Sequence, residues 1–361
     1  MIVKKITHTI SALAMVAMVG ILPVQAEDIT FKNVELIVPY KAGGGSTIHA
    51  RLIAPALEEA LPGHPSILVR NVPGAGSVVG INEFHRQAKT DGLTIAALGT
   101  GTFFQYLLED KAVEYPLPEL RAFLTSPFGL VVYARKDLGL VGDPIADIKK
   151  IIELKPVYGG ANATSSDLPA LLSIDLLGIK PSYLFGLSNA EAQAGFDRGE
   201  LQLNYDNMAS WSNSIKPMID EGVAVPLYTF GFENEAGEIV RDPMVPELPT
   251  FLEVYEAIHG KKLTGEAYNV WKTLFNIRVM GSKMFSLPAG TPDNIYNIYV
   301  EATRKALASD RLTSPEALAV LGPYPQTVGS QAERTLKGAS VMADSEKVWL
   351  KKWLSDTHGV N

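Results

Sequence analysis

Apolar runs of strand length alternate with helical periodicities through the N-terminal part of the chain. Val34-Glu35-Leu36-Ile37-Val38 reads as a strand, followed by a loop from Pro39 to Ser46 that holds Gly43, Gly44 and Gly45. From Thr47 to Leu61, Ile48, Leu52, Ile53, Leu57 and Leu61 recur at helical spacing, which predicts a helix. Ser46 is its expected N-cap, because a hydroxyl accepts from a free first-turn amide, and Pro62-Gly63 its stop. A second round follows: strand Ile67-Leu68-Val69, glycine loop Asn71 to Ser77, helix Val78 to Ala88. A third strand, Thr94 to Leu98, ends in Gly99-Thr100-Gly101-Thr102. Such alternation implies a parallel sheet with helices on both faces, with ligands outside the carboxyl ends of the strands. The three glycine loops are expected to line one crevice there. Two of them open helices, whose unpaired first amides favour an anion.

Downstream the pattern shifts. After Arg121 the chain is expected to cross to a second lobe, where Phe128 to Tyr133 forms a continuous apolar strand. Asp143 caps and Pro144 opens a helix with Ile145, Ile148, Ile151 and Ile152 on its buried stripe. Val157-Tyr158 leads into the polar loop Gly159 to Ser166, whose hydroxyls and amides are ligand candidates. Asp167 reads as the cap of a helix from Leu168 to Leu177. Leu201 to Tyr205 alternates as a strand, and Asp206 and Asn207 at its end are either pocket residues or helix caps. Tyr205 and Trp211 read as core. The return crossing is placed at Val223 to Thr229, and the Glu-bearing stretch from Phe232 to Asp242 reads as a solvated loop. Helices from Asp293 to Leu307 and from Gln331 to Leu354 are expected to pack back on the first lobe. No functional reading attaches to Ala257 to Val279.

Composition adds a location and removes several chemistries. Lys4 and Lys5 precede an apolar stretch, Ile10 to Val24, and Val24-Gln25-Ala26 supplies the small residues of a cleavage site. That stretch is shorter than the about 20 residues of a spanning helix, so an export signal cleaved after Ala26 is expected. The remaining chain of about 335 residues exceeds what one core usually supports, and two lobes follow. Residues 1–26 are assigned to the signal, 27–125 to the first lobe, 126–226 to the second, and 227–361 to the return segment and C-terminal helices of the first. The absence of Cys removes disulfides, thiolate metal sites, cysteine nucleophiles and a lipoprotein anchor. Formal charge is −7, with no block of Lys and Arg, so nucleic acid is not an expected partner.

Enzyme motifs are missing. Gly74-Ala75-Gly76 is followed by Gly80 one position too late for a dinucleotide loop, and Gly45-Ser46-Thr47 lacks the Lys of a phosphate-binding loop. No Gly-x-Ser-x-Gly elbow exists. His49, His64, His85, His259 and His358 form no zinc pair at helical spacing, and His49 is expected at the surface. No catalytic residue, metal or cofactor is assigned.

Val38-Pro39-Tyr40-Lys41-Ala42-Gly43-Gly44-Gly45-Ser46, with Ala50-Arg51-Leu52 after it, resembles the opening of the Bug family, the TctC-type substrate-binding proteins of tripartite tricarboxylate transporters. Asn71-Val72-Pro73-Gly74-Ala75-Gly76 resembles the second signature, and Pro246 to Glu253 and Leu287 to Pro292 resemble later segments. The resemblance implies a type II periplasmic-binding-protein fold: two α/β lobes, two crossing strands and a cleft that closes on a carboxylate held by backbone amides with little use of charged side chains. Carried onto this chain, the site residues are Tyr40, Ala42, Gly43, Gly44, Gly45, Ser46 and Thr47 of the first loop. Gly74, Ala75, Gly76 and Ser77 come from the second loop and Thr100 from the third. The second lobe adds Gly160, Asn162, Thr164, Ser165, Asp206 and Asn207. Two departures stand out: Thr47 where the family usually has Asp, which disfavours amino-acid ligands, and Asp167 where it has His. The implied role is a monomeric periplasmic receptor delivering a small organic carboxylate to membrane permease subunits. The alternative is a receptor presenting that carboxylate to a membrane sensor kinase.

Overall fold

A computed structural model of the chain describes residues 29–234 and 236–360. The export-signal assignment lies outside the described residues. Three strand–helix units open the fold: β1 (Asn33–Val38), α1 (Gly45–Ala60), β2 (Ser66–Asn71), α2 (Val78–Gln87), β3 (Thr94–Gly99) and α3 (Thr100–Leu107). They are followed by β4 (Arg121–Ser126), β5 (Leu130–Arg135), α4 (Pro144–Glu153), β6 (Val157–Gly160), α5 (Leu168–Leu176), β7 (Ser182–Phe185), α6 (Asn189–Asp197) and β8 (Leu203–Asn207). The chain goes on through α7 (Lys216–Asp220), β9 (Ala224–Thr229), the hairpin β10 (Phe232–Glu233) and β11 (Ile239–Val240), and helices α8 (Phe251–His259) and α9 (Gly265–Phe275). It ends with β12 (Lys283–Leu287), α10 (Asp293–Leu307), α11 (Asp310–Thr313), α12 (Pro315–Leu321), β13 (Thr327–Val328), α13 (Ser330–Ala339) and α14 (Asp344–His358).

Two larger sheets result. One has six strands in the order β13-β4-β12-β3-β1-β2; the other has five, in the order β7-β6-β8-β5-β9. β1 pairs in parallel with β2 and β3, as strand–helix alternation requires. β12 is different: it inserts antiparallel between β3 and β4, with Lys283 opposite both Gly99 and Ser126. Reversed direction puts the first residue of β12 at the edge where the neighbouring strands end. The chain passes from one sheet to the other through Pro127-Phe128-Gly129, between β4 and β5.

Several elements depart from their expected form. Predicted helix Gln331 to Leu354 is two helices, α13 and α14, broken over Ser340 to Ala343. Residues 232–242 are not simply a solvated loop, since they contain the β10–β11 hairpin and Asp242, which is fully buried. Helix α1 begins at Gly45, and its N-cap is Gly44, with no side-chain cap from Ser46. Asp167 makes no capping bond to α5. Asp143 does cap α4, accepting from the Ala146 amide at 2.8 Å. The stretch 257–279 contributes α9, which packs against α5 and α14.

Candidate functional site

A cavity of about 60 Å³ lies between the two sheets. Tyr40, Gly44, Gly45, Ser46 and Thr100 form its wall from the side of the six-stranded sheet; Ser166, Asn189, Tyr205 and Asn207 form it from the other. Arg278 and Lys283 complete the lining. The first residues of three helices therefore meet here: Gly45 of α1, Thr100 of α3 and Asn189 of α6. Each helix start carries unpaired amides and the positive end of the backbone dipole. Ser188 caps α6 in a reciprocal capping box with Glu191, which fixes the entry of Asn189.

Both cations are buried, Arg278 at 3% exposure and Lys283 at 6%. Arg278 sits in a π turn, Asn276–Met280, that continues α9, an irregularity often found at functional sites. Its Nη1 donates to Ser282 Oγ at 3.2 Å, its Nε has no partner, and its guanidinium lies 5.7 Å from the Tyr205 ring. Among the described residues Lys283 makes no ion pair. Among the described residues, no acid lines the cavity. Burial, and next the Arg278 charge, push the Lys283 ammonium down to about 7. Behind it, burial and the Lys283 charge hold His49 down at about 3, so its ring is neutral. His49 is not at the surface as expected; it is 1% exposed and its Nε2 bonds Ser126 Oγ at 2.8 Å.

Carboxylates stand one layer back. Asp206 is fully buried, accepts from Tyr133 Oη at 2.8 Å and Gln193 Nε2 at 2.7 Å, and burial raises its carboxyl to about 6. Asp167 accepts from Tyr158 Oη, the Ala161 amide and Ser165 Oγ, organising the second-lobe loop from inside. Burial raises its carboxyl as well.

The structure thus divides the candidates drawn from sequence. Tyr40, Gly44, Gly45, Ser46, Thr100 and Asn207 share the cavity wall. Ala42 and Gly43 are exposed, with Gly43 against Ala190 of the facing side. Thr47 is buried and accepts from Asn71 Nδ2 at 2.8 Å. Gly74, Ala75, Gly76 and Ser77 lie outside the wall, where Ser77 accepts from Thr102 and Gly76 backs onto Gln105. Gly160, Asn162, Thr164 and Ser165 also lie outside it and build the loop that presents Ser166. Asn207 combines both readings offered for it, since it lines the cavity and caps the next turn through the Ala209 amide at 3.0 Å. Tyr205, read as core, is buried in the core and also lines the cavity. Ser166 belongs to the loop whose hydroxyls were candidates; sequence reasoning missed Asn189, Arg278 and Lys283, and the cations run against the expectation of little charge at the site. A larger surface groove of about 660 Å³ runs between α3 and α14. Its Glu109 is already paired with Lys347 and Lys351, so volume alone does not mark the site.

The facing sides touch around the cavity. Lys41 pairs with Glu191 at 3.0 Å, and Gln105 Nε2 donates to the Thr164 carbonyl at 2.9 Å. Two α/β sheets closed on a small, positively biased cavity define the periplasmic-binding-protein fold.

The comparisons agree. No family model matches the chain. It is 36% identical over 73 residues to Protein BugT of Bordetella pertussis, a stretch covering 20% of this chain and 22% of that protein. Among solved structures, the periplasmic binding protein BugD superposes with a TM-score of 0.67 at 19% identity, over 90% of this chain and 98% of BugD. MatC from Rhodopseudomonas palustris, with bound malate, gives 0.64 at 19% identity, over 88% and 98%. R. palustris Rpa4515, with adipate, gives 0.65 at 20% identity, over 91% and 97%. The likeness to BugT is confined to a fifth of the chain, and the solved structures share its fold over about nine tenths.

Proposed function

We propose that this chain is a periplasmic receptor that closes on a small organic carboxylate and delivers it to the permease subunits of a tripartite tricarboxylate transporter. The carrying observation is the cavity wall: three helix starts, hydroxyls, amides and two buried cations, with no acid among them. Such a wall repels cations and leaves a neutral solute facing unpaired buried charge, which is expensive. An anion that touches both sides stabilises the closed arrangement over the open one. Malate in MatC and adipate in Rpa4515, proteins of the same fold, support a carboxylate as the class. Absence of the usual enzyme motifs and the solute-binding character of the neighbours fit a receptor without chemistry of its own.

Isothermal titration of the purified protein against mono-, di- and tricarboxylates, amino acids and sugars tests the binding half. One acid binding at one site per chain is expected; sugars binding in place of acids would refute it. Deleting the gene should abolish cellular uptake of that acid. Normal uptake with a lost transcriptional response to the acid would replace delivery by sensing.

A further inference from the structure

We infer that the ligand is a dicarboxylate without an amine, selected by Arg278 and Lys283 through one carboxylate each. This deepens, and rests on, the carboxylate-receptor reading. Both cations line one small cavity, and neither has an acid within ion-pair distance among the described residues. They repel one another, since the Arg278 charge depresses the Lys283 ammonium. A monocarboxylate neutralises one cation and leaves the other buried and unpaired. A dicarboxylate neutralises both, and the difference falls where burial makes charge pairing strongest. Thr47, in place of an Asp, accepts from Asn71 and leaves no carboxylate in the first loop for an ammonium group.

The two cations reach the site by separate routes. Lys283 arrives because β12 runs antiparallel, opposite Gly99 and Ser126. Arg278 arrives because the π turn after α9 displaces one residue from the helical path, and the Gly281 amide closes that turn on Asn276 at 2.8 Å. Around Lys283 and Arg278 the other titratable groups are His49 from α1, Tyr40 after β1, Tyr205 with Asp206 behind it on β8, and Asp167 at the start of α5. His49 stays neutral; Asp206 Oδ2 accepts from Tyr133 and Gln193, while its buried Oδ1 has no hydrogen-bond partner and feels the Arg278 charge. Lys283 is therefore the group whose proton a bound carboxylate holds in place.

The test is calorimetric titration of the purified chain with malonate, succinate and glutarate, with monomethyl succinate and butyrate as single-charge partners, and with aspartate and inorganic phosphate. One diacid should bind roughly a hundredfold tighter than monomethyl succinate and butyrate, the cost of leaving one buried charge unpaired. In Lys283→Met that ratio should fall below about tenfold. Titrations near pH 8 in two buffers of different ionisation enthalpy should show proton uptake with the diacid by the unmodified protein and none by Lys283→Met. Equal binding of diacid and monoester would overturn the inference while leaving a carboxylate receptor standing, as would tight aspartate binding. Binding of phosphate but of no carboxylate would overturn both readings. Absence of proton uptake in the unmodified protein would remove Lys283 from the role, independently of whether the variant folds.

Discussion

Lys283 is an expensive side chain for the empty protein to keep. An ammonium buried without an acid loses hydration and gains no ion pair, and its depressed pKa records that cost. Lys283→Met should stabilise the ligand-free protein by several kcal/mol near neutral pH. The native pKa of about 7 lies below the ordinary 10.5. The unfolded chain therefore holds more protons between those values, and stability of the unmodified protein rises across that window. The gain in Lys283→Met is full below about pH 7 and fades as pH climbs; urea unfolding at several pH values reads it, and a variant weaker at neutral pH contradicts it. Glycines separate as sharply. A Cβ on Gly45 would meet Asn207 Oδ1 at 2.7 Å across the cleft, while one on Gly44 meets nothing nearer than 4.0 Å. Asn207 cannot swing aside without breaking its cap to Ala209. Gly45→Ala should thus weaken ligand binding at least about tenfold by opposing closure, measured as Kd. Gly44, Gly45, Ser46 and Thr100 were legible because glycine loops at strand ends have a stated geometry. Arg278 and Lys283 were not, because an isolated Arg and Lys carry no motif and normally read as solvated. Only the reversed insertion of one strand makes a residue near position 283 a neighbour of one near position 45.

At the scale of elements, the alternating first half of the chain could be read almost residue by residue, since local periodicity and glycine punctuation agree there. Helix α10 occupies the predicted residues, Asp293–Leu307. What stayed illegible was set by tertiary contacts: the break between α13 and α14 carries no proline or glycine, and a π turn has no signature of its own. Helix starts provide a paired test. Ser188 and Thr250 each cap a helix through a capping box, α6 at the cavity and α8 away from it. Ser188→Ala and Thr250→Ala should each cost about 1 kcal/mol in urea unfolding. Ser188→Ala alone should also raise the Kd, because Asn189 and Glu191, which holds Lys41 across the cleft, lose their anchor. Equal Kd values for the two variants would mean that α6 needs no fixed start.

For the whole molecule, Gly129 lies on one of the two passages between the sheets, the other following β9, and a second buried acid sits against it. Asp242 is fully buried, accepts from Tyr324 Oη at 2.7 Å through one oxygen, leaves the other unpartnered, and fills the space a Cβ at Gly129 would need. Burial raises its carboxyl from 3.8 to about 6. The native state therefore holds the proton longer than the unfolded chain, and this group lowers stability as pH rises from about 4 to about 6. Relative to the unmodified protein, Asp242→Asn should gain on the order of 2–3 kcal/mol over that window and stay level above it. Chemical denaturation at several pH values reads the difference, and a flat difference would mean the carboxyl titrates normally. The position of β12 has a consequence for the order of assembly. It lies between β3 and β4, so until Leu287 has been made the six-stranded sheet exists as two separated halves. The strands that begin the chain are therefore completed after the five-stranded sheet, whose last strand ends at Thr229. Contacts so distant in sequence make folding slow. An emerging chain shorter than about 290 residues cannot close its first sheet, and it keeps the edges of β3 and β4 open to wrong partners until β12, in the last quarter of the chain, arrives.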